Sequence, residues 1–197
     1  MQQNLHMVTD VLLELEDNDK WLRNARRVIS SNCDARPEGC AINLIVLHGI
    51  SLPPGKYGGP YIDQLFTNTL DVDVHDYFRE INTLRVSAHL LIDRRGNITQ
   101  YVPFSMRAWH AGESRFCGRT ACNDFSIGIE LEGCDDKPFD DIQYEKLAQS
   151  IQCLIKSYPG LSTEHIAGHS DIAPGRKTDP GPHFEWLRLR ELLAARA

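Results

Sequence analysis

The chain has 197 residues, enough for one domain with a sizeable core, and 42% hydrophobic with 24% charged residues is an ordinary balance for a globular protein. A formal net charge of −6 excludes a general attraction to nucleic acid or to anionic lipid, so an anionic ligand must be gripped by local cations. No apolar run approaches the length of a membrane span, so membrane insertion is not expected.

Met1 to Glu16 is polar and then amphipathic, without the basic start, apolar centre and small-residue cleavage site of a secretory signal. The cytoplasm is therefore the expected compartment. Reduced thiols are then expected for Cys33, Cys40, Cys117, Cys122, Cys134 and Cys153. None forms a C-x-x-C pair that would suggest a thiolate zinc site.

In chain order, the apolar spacing predicts short helices over Val8–Glu16 and Trp21–Val28. Asn43–His48 reads as a buried strand that ends on a histidine, and the Pro- and Gly-rich stretch from Ser51 to Pro60 reads as the loop after it. Such loops are where sites on α/β sheets lie. A short helix is expected around Ile62–Thr67. Ala88–Ile92 and Ile98–Val102 form a hairpin around Asp93–Asn97, with Gly96 supplying a positive φ. Phe125–Glu132 is a third strand, whose alternation puts Glu130 and Glu132 on one face. Asp140 or Asp141 caps a helix that runs to about Tyr158 and stops at Pro159-Gly160. His165–Gly168 is a brief strand, and Phe184–Ala195 a final amphipathic helix. Strands interleaved with helices give an α/β or α+β domain with helices on the faces of its sheet.

The segment from Gly168 to Pro182 concentrates the chemistry. It places His169, Lys177 and Asp179 in a stretch whose prolines and glycines forbid regular helix. Imidazole and carboxylate suit Zn²⁺, and a catalytic zinc takes three protein ligands with one place left open. His48, His169 and Asp179 are the candidates, each beside a loop rich in Gly or Pro. Glu130 ends an apolar strand, where a carboxylate serves either as a general base or in a buried salt bridge. Lys177 reads either as a group that stabilises an oxyanion or as a solvated loop lysine. His110 lies in the small-residue stretch Trp109-His110-Ala111-Gly112, which can line a groove. His89 reads as a packed or supporting histidine. The rings of Trp109 and Tyr61 suit either the core or a sugar-facing surface. Arg85, Arg119 and Arg176 flank these motifs, and guanidinium forks suit carboxylates on a ligand. H-E-x-x-H, the mark of an unrelated zinc peptidase, is absent.

Five stretches then carry a resemblance: His48–Gly55, Arg85–His89, Ala108–Gly112, Asn123–Gly133 and His169–Pro182. In this order, from about Trp21 to Leu193, the chain resembles the zinc N-acetylmuramoyl-L-alanine amidases. The resemblance implies a single domain over residues 21–197, with residues 1–20 as an N-terminal extension of unknown role. The implied fold is a central mixed β-sheet flanked by helices, shared with peptidoglycan recognition proteins. It also implies hydrolysis of the amide between (1,6-anhydro)-N-acetylmuramic acid and L-Ala of the stem peptide, in cytoplasmic recycling of muropeptides. Envelope amidases and non-catalytic binding modules of the same fold are the rival readings. Carried over by position, His48, His169 and Asp179 hold Zn²⁺, Glu130 activates water, and Lys177 stabilises the oxyanion. Arg85 and Arg176 meet peptide carboxylates, and Trp109, His110 and Arg119 complete the substrate contacts. An anhydromuropeptide is the implied ligand, and no obligatory protein partner is implied. Gly49 and Ala121 depart from relatives that carry asparagine and arginine at these places.

Overall fold

The computed structural model describes residues 13–16 and 20–196. The first half of the chain supplies strands β1 (Arg26–Arg27), β2 (Cys33–Ala35) and β3 (Leu44–Ile50) and helices α1 (Tyr61–Phe66) and α2 (Asp76–Ile81). Short strands follow: β4 (Leu90–Ile92), β5 (Ile98–Gln100), β6 (Met106–Ala108), β7 (Arg115–Phe116) and β8 (Arg119–Thr120). A 3₁₀ turn at Cys122–Asp124 leads into β9 (Ser126–Glu132), then α3 (Asp141–Ser157), β10 (Ile166–Gly168), α4 (His169–Ile172) and α5 (Trp186–Ala194).

Six of the strands form one mixed sheet in the order β1-β5-β4-β9-β3-β10. Among the described residues its only antiparallel pair is the β4–β5 hairpin; β4, β9, β3 and β10 run parallel. Parallel strands covered on both faces read as apolar runs, which is why β3 and β9 stand out in the sequence. Alternation then sorts their side chains. Ile45 and Leu47 of β3 and Ile127, Ile129 and Leu131 of β9 pack with Leu147, Ile151 and Leu154 of α3 and with Leu189 and Leu193 of α5. Each such fully buried side chain contributes about 1.5–3 kcal/mol. The opposite face of the same strands carries His48, Ser126, Gly128, Glu130 and Glu132, so the polar groups share the side away from α3 and α5. Beyond them, Leu52, Leu65, Phe66, Phe78 and Ile81 build a second core around α1 and α2.

The expected hairpin is present, and its turn explains its sequence. Asp93 Oδ1 accepts from the backbone N–H groups of Arg95 and Asn97, each at 2.8 Å, and Gly96 has φ +79°. A Cβ at Gly96 would also lie 2.6 Å from Ile142 Cγ1, so glycine is required twice over. Asp140 is the N-cap of α3, and its N–H donates to Gln143 Oε1 at 3.0 Å. All six cysteines are free thiols. No helix among the described residues is long and apolar enough to cross a membrane.

The N-terminal helices need correction. Of Val8–Glu16, residues 8–12 lie outside the described residues; Leu15 instead forms an antiparallel bridge with Leu22. Trp21–Val28 is not helical either. Leu22 is fully buried and its N–H donates to Gln100 Oε1 at 2.7 Å, Asn24 turns at φ 68°, and Arg26–Arg27 pair with β5 at the sheet edge. The spacing of Leu22, Ala25 and Val28 imitates a helix face, but docking against the sheet satisfies the same apolar groups and the edge backbone as well.

Candidate active site

Strand register assembles the site. β3 and β9 pair so that His48 lies opposite Glu130, and β10 pairs with β3 so that Gly168 lies opposite Leu47. His169 follows at once, at the start of α4. Both histidines thus stand near the carboxyl ends of adjacent parallel strands, the usual place for ligand chemistry in open α/β sheets. The loop beyond α4 curls back: Lys177 N–H donates to Ala173 O at 3.1 Å and Ser170 N–H to Asp179 O at 2.9 Å. That return brings Asp179 to the two imidazoles.

His48 Nδ1 lies 3.0 Å from His169 Nδ1 and 3.2 Å from Asp179 Oδ2, and His169 Nδ1 lies 3.1 Å from the same oxygen. The tautomer of His169 follows from its other nitrogen. Nε2 is 3.1 Å from the carbonyl oxygen of Ala111, which only accepts, so the proton sits on Nε2 and the Nδ1 lone pair faces His48 and Asp179. Burial pulls the His48 pKa down to about 4, so its imidazole is neutral near pH 7. Burial also acts to raise the Asp179 pKa, but hydrogen bonds to His169 and His48 win and hold it well below the usual carboxylate range. Three ligand atoms therefore converge within 3.0–3.2 Å of one another. Tetrahedral coordination at about 2.0 Å sets donor atoms about 3.3 Å apart, close to the observed triangle. The donor set fits a divalent cation of the zinc type.

These residues line a cleft of about 500 Å³ together with Glu130 and Lys177. Glu130 is 8% exposed, and its Oε2 is buried with no hydrogen-bond partner among the described residues. Burial first, and the Asp179 charge second, push its pKa well above the usual carboxylate range, while Lys177 pulls the other way. An orphaned buried carboxylate oxygen is costly, and such groups collect where protons are moved.

The other candidate residues are placed differently. Arg85 is exposed and donates to the carbonyl oxygens of Asn82 and Leu84, beside Leu84 and Val86 on the cleft wall. Arg176 Nη2 donates to Ala111 O and Glu113 O, each at 2.6 Å. Neither arginine pairs with a carboxylate among the described residues. Trp109 Nε1 donates to Asp34 Oδ1 at 3.2 Å, on the side of the β2–β6 ribbon. Arg119 is not brought to the cleft. Its guanidinium stacks 3.7 Å from the Phe125 ring centroid and donates to Asn43 Oδ1, at the end of β3 remote from His48. His110 is 9% exposed and sits behind His48, with its Nδ1 2.9 Å from His48 Nε2. His89 is fully buried, packed as one of its two expected readings has it: its Nδ1 accepts from Gly128 N–H at 3.0 Å.

Glu132 has a role that its position on the Glu130 face does not by itself disclose. Its carboxylate accepts from Gly58 N–H at 2.6 Å and Arg94 N–H at 3.2 Å, tying the loop after β3 to the hairpin turn.

Comparison with known proteins places this arrangement. Residues 38–182 match the family model described as N-acetylmuramoyl-L-alanine amidase. The chain is 58% identical over 174 residues to the 1,6-anhydro-N-acetylmuramyl-L-alanine amidase AmpD of Salmonella typhimurium (strain SL1344), covering 88% of this chain and 92% of the relative. It superposes on the crystal structure of a selenomethionine derivative of AmpD with TM-score 0.87 and 55% identity, over 91% of this chain and 98% of the other. AmpDh3 of Pseudomonas aeruginosa in complex with anhydromuramic pentapeptide is more distant, with TM-score 0.57 and 28% identity over 83% of this chain and 65% of that one.

Proposed function

The chain belongs to the N-acetylmuramoyl-L-alanine amidase family and is an amidase of that class, and from that premise we propose that it acts in the cytoplasm with zinc on anhydromuropeptides. The bond cut is the amide between the lactyl group of 1,6-anhydro-N-acetylmuramic acid and L-Ala of the stem peptide. The observation that carries this reading is the convergence of His48, His169 and Asp179 beside an unpartnered buried oxygen of Glu130. The similarity to AmpD proteins over nearly their whole length supports the anhydro substrate and the recycling role.

His48, His169 and Asp179 would hold the cation. The chemistry zinc supplies when bound is Lewis acidity toward water and the scissile carbonyl. Glu130 Oε2 takes the proton of the attacking water and delivers it to the departing nitrogen of L-Ala, so the product leaves as a neutral amine rather than an anion. The Lys177 ammonium faces the negative charge that gathers on the carbonyl oxygen. Arg85 and Arg176, neither paired with an acidic side chain among the described residues, bind carboxylates of the stem peptide; Trp109 and Arg119, turned toward Asp34 and Phe125, support the surrounding loops.

Lys177 is exposed, so its removal isolates the electrostatic effect. Lys177→Ala is expected to keep the fold and the bound metal while kcat falls by about 10²–10³, the usual cost of losing one oxyanion-stabilising donor. A kcat within a few-fold of wild type would remove Lys177 from the reaction. The substrate reading is tested by comparing soluble anhydromuramyl-peptide with intact murein sacculi. Efficient cleavage of the soluble ligand and little release from sacculi is the expected outcome, and preferential release from sacculi would make this an envelope-type amidase.

A further inference from the structure

His110 touches the back of one candidate metal ligand. Its Nδ1 is 2.9 Å from His48 Nε2, and its Nε2 is 3.1 Å from Ser126 Oγ, both within the core. The seat for this ring is made by the sequence of β9. Ser126, Gly128 and Glu130 fall on one face of that strand. A Cβ at Gly128 would stand 2.5–2.7 Å from Cγ, Cδ2 and Nδ1 of His110, closer than real Cβ contacts come, so the imidazole can lie there only because residue 128 is glycine. From the other side, Asn123 Oδ1 accepts from the backbone N–H groups of His110 and Ala111, at 3.2 and 2.8 Å, and fixes that segment. The next carbonyl, that of Ala111, holds His169 Nε2.

We propose that His110 is a positioning residue for the metal centre. Its Nδ1 accepts the Nε2–H of His48, which fixes the tautomer whose Nδ1 lone pair faces His169 and Asp179, while its own Nε2–H donates to Ser126 Oγ. Two adjacent residues then set both histidines, His110 through its ring and Ala111 through its carbonyl oxygen. Partners of this kind orient a ligand and raise its basicity, and losing one costs about 10–100-fold in metal affinity. The inference rests on the reading that His48, His169 and Asp179 hold a divalent cation.

The test compares His110→Leu with His110→Asn, side chains of nearly equal size, of which only asparagine offers an acceptor near the Nδ1 position. Zn²⁺ dissociation constants are measured by competition with a chromophoric chelator, with circular dichroism of the metal-free proteins as the control for folding. His110→Leu is expected to bind Zn²⁺ about 10–100-fold more weakly than wild type. His110→Asn is expected to recover part of that loss, and Ser126→Ala to show a smaller one. If His110 merely fills space, leucine serves as well as asparagine, so equal affinity of the two variants, or a leucine variant within twofold of wild type, overturns the proposal. Should both variants fail to fold, long-range ¹H–¹⁵N spectra of the zinc-loaded wild type decide it: protons on Nε2 of His48 and His110 are expected, and a proton on Nδ1 of either overturns it. Wild-type protein that takes up no zinc overturns the metal reading together with this one, whereas zinc uptake that ignores His110 overturns this one alone.

Discussion

Replacing Glu130 with glutamine is expected to lower kcat by about 10²–10⁴, the range a positioned general acid–base contributes, with the bound metal unchanged. The expectation rests on where the carboxylate sits. It faces the cleft from the strand beside His48, and its Oε2 has no partner among the described residues to compete for the proton it must carry. Glutamine has almost the same shape and keeps an oxygen in the cleft but cannot take up and release a proton at neutral pH. The substitution also removes a carboxyl whose ionisation burial and the Asp179 charge both oppose, so the variant should be at least as stable to heat as wild type. Steady-state kinetics and metal analysis on one preparation check all three points. A Glu130→Gln enzyme with wild-type kcat would assign proton transfer to another group.

Asp179→Ala is expected to abolish stoichiometric metal binding and with it turnover. The carboxylate is the sole anion of the donor triangle, and Oδ2 is shared by both imidazoles at 3.2 and 3.1 Å. Its loss leaves two imidazole nitrogens 3.0 Å apart, one short of the three protein donors that a catalytic zinc takes. The backbone carbonyl of Asp179 still accepts from Ser170 N–H, so the loop keeps its path and the fold should survive. Elemental analysis of the purified variant, with circular dichroism as the control, reads the outcome. A variant that keeps one equivalent of zinc would show that the cation is held elsewhere.

Much of this was legible in the sequence where long-range burial speaks through local pattern. β3 and β9 announce themselves because strands covered on both faces must be apolar throughout, and α3 because Leu147, Ile151 and Leu154 recur at helical spacing. Shorter elements were not readable. Six-residue α2 buries only Phe78 and Ile81, too few positions to set a period, and Arg26–Arg27 becomes a strand only because β5 lies beside it. In the site, loops rich in Gly and Pro beside His48, His169 and Asp179 marked the donors. No local signal told that Arg119 stays away from the cleft: it lies three residues before Cys122 in the chain, yet the turn delivers it to Phe125. The seat of His110 did leave a trace. A glycine inside a β-strand pattern marks a close approach, and Gly128 is that glycine, but only coordinates show that a histidine ring occupies the space.

Two imidazoles and one carboxylate, distant in the chain, would form a single divalent-cation site on which amide hydrolysis depends. Digestion of anhydromuramyl-tripeptide with the purified enzyme, with and without a chelator, tests this most directly, with release of the free peptide followed by mass spectrometry. The account predicts one equivalent of zinc per chain, loss of hydrolysis in the metal-free protein and recovery when Zn²⁺ is returned. Undiminished hydrolysis by protein shown to be free of metal would contradict it.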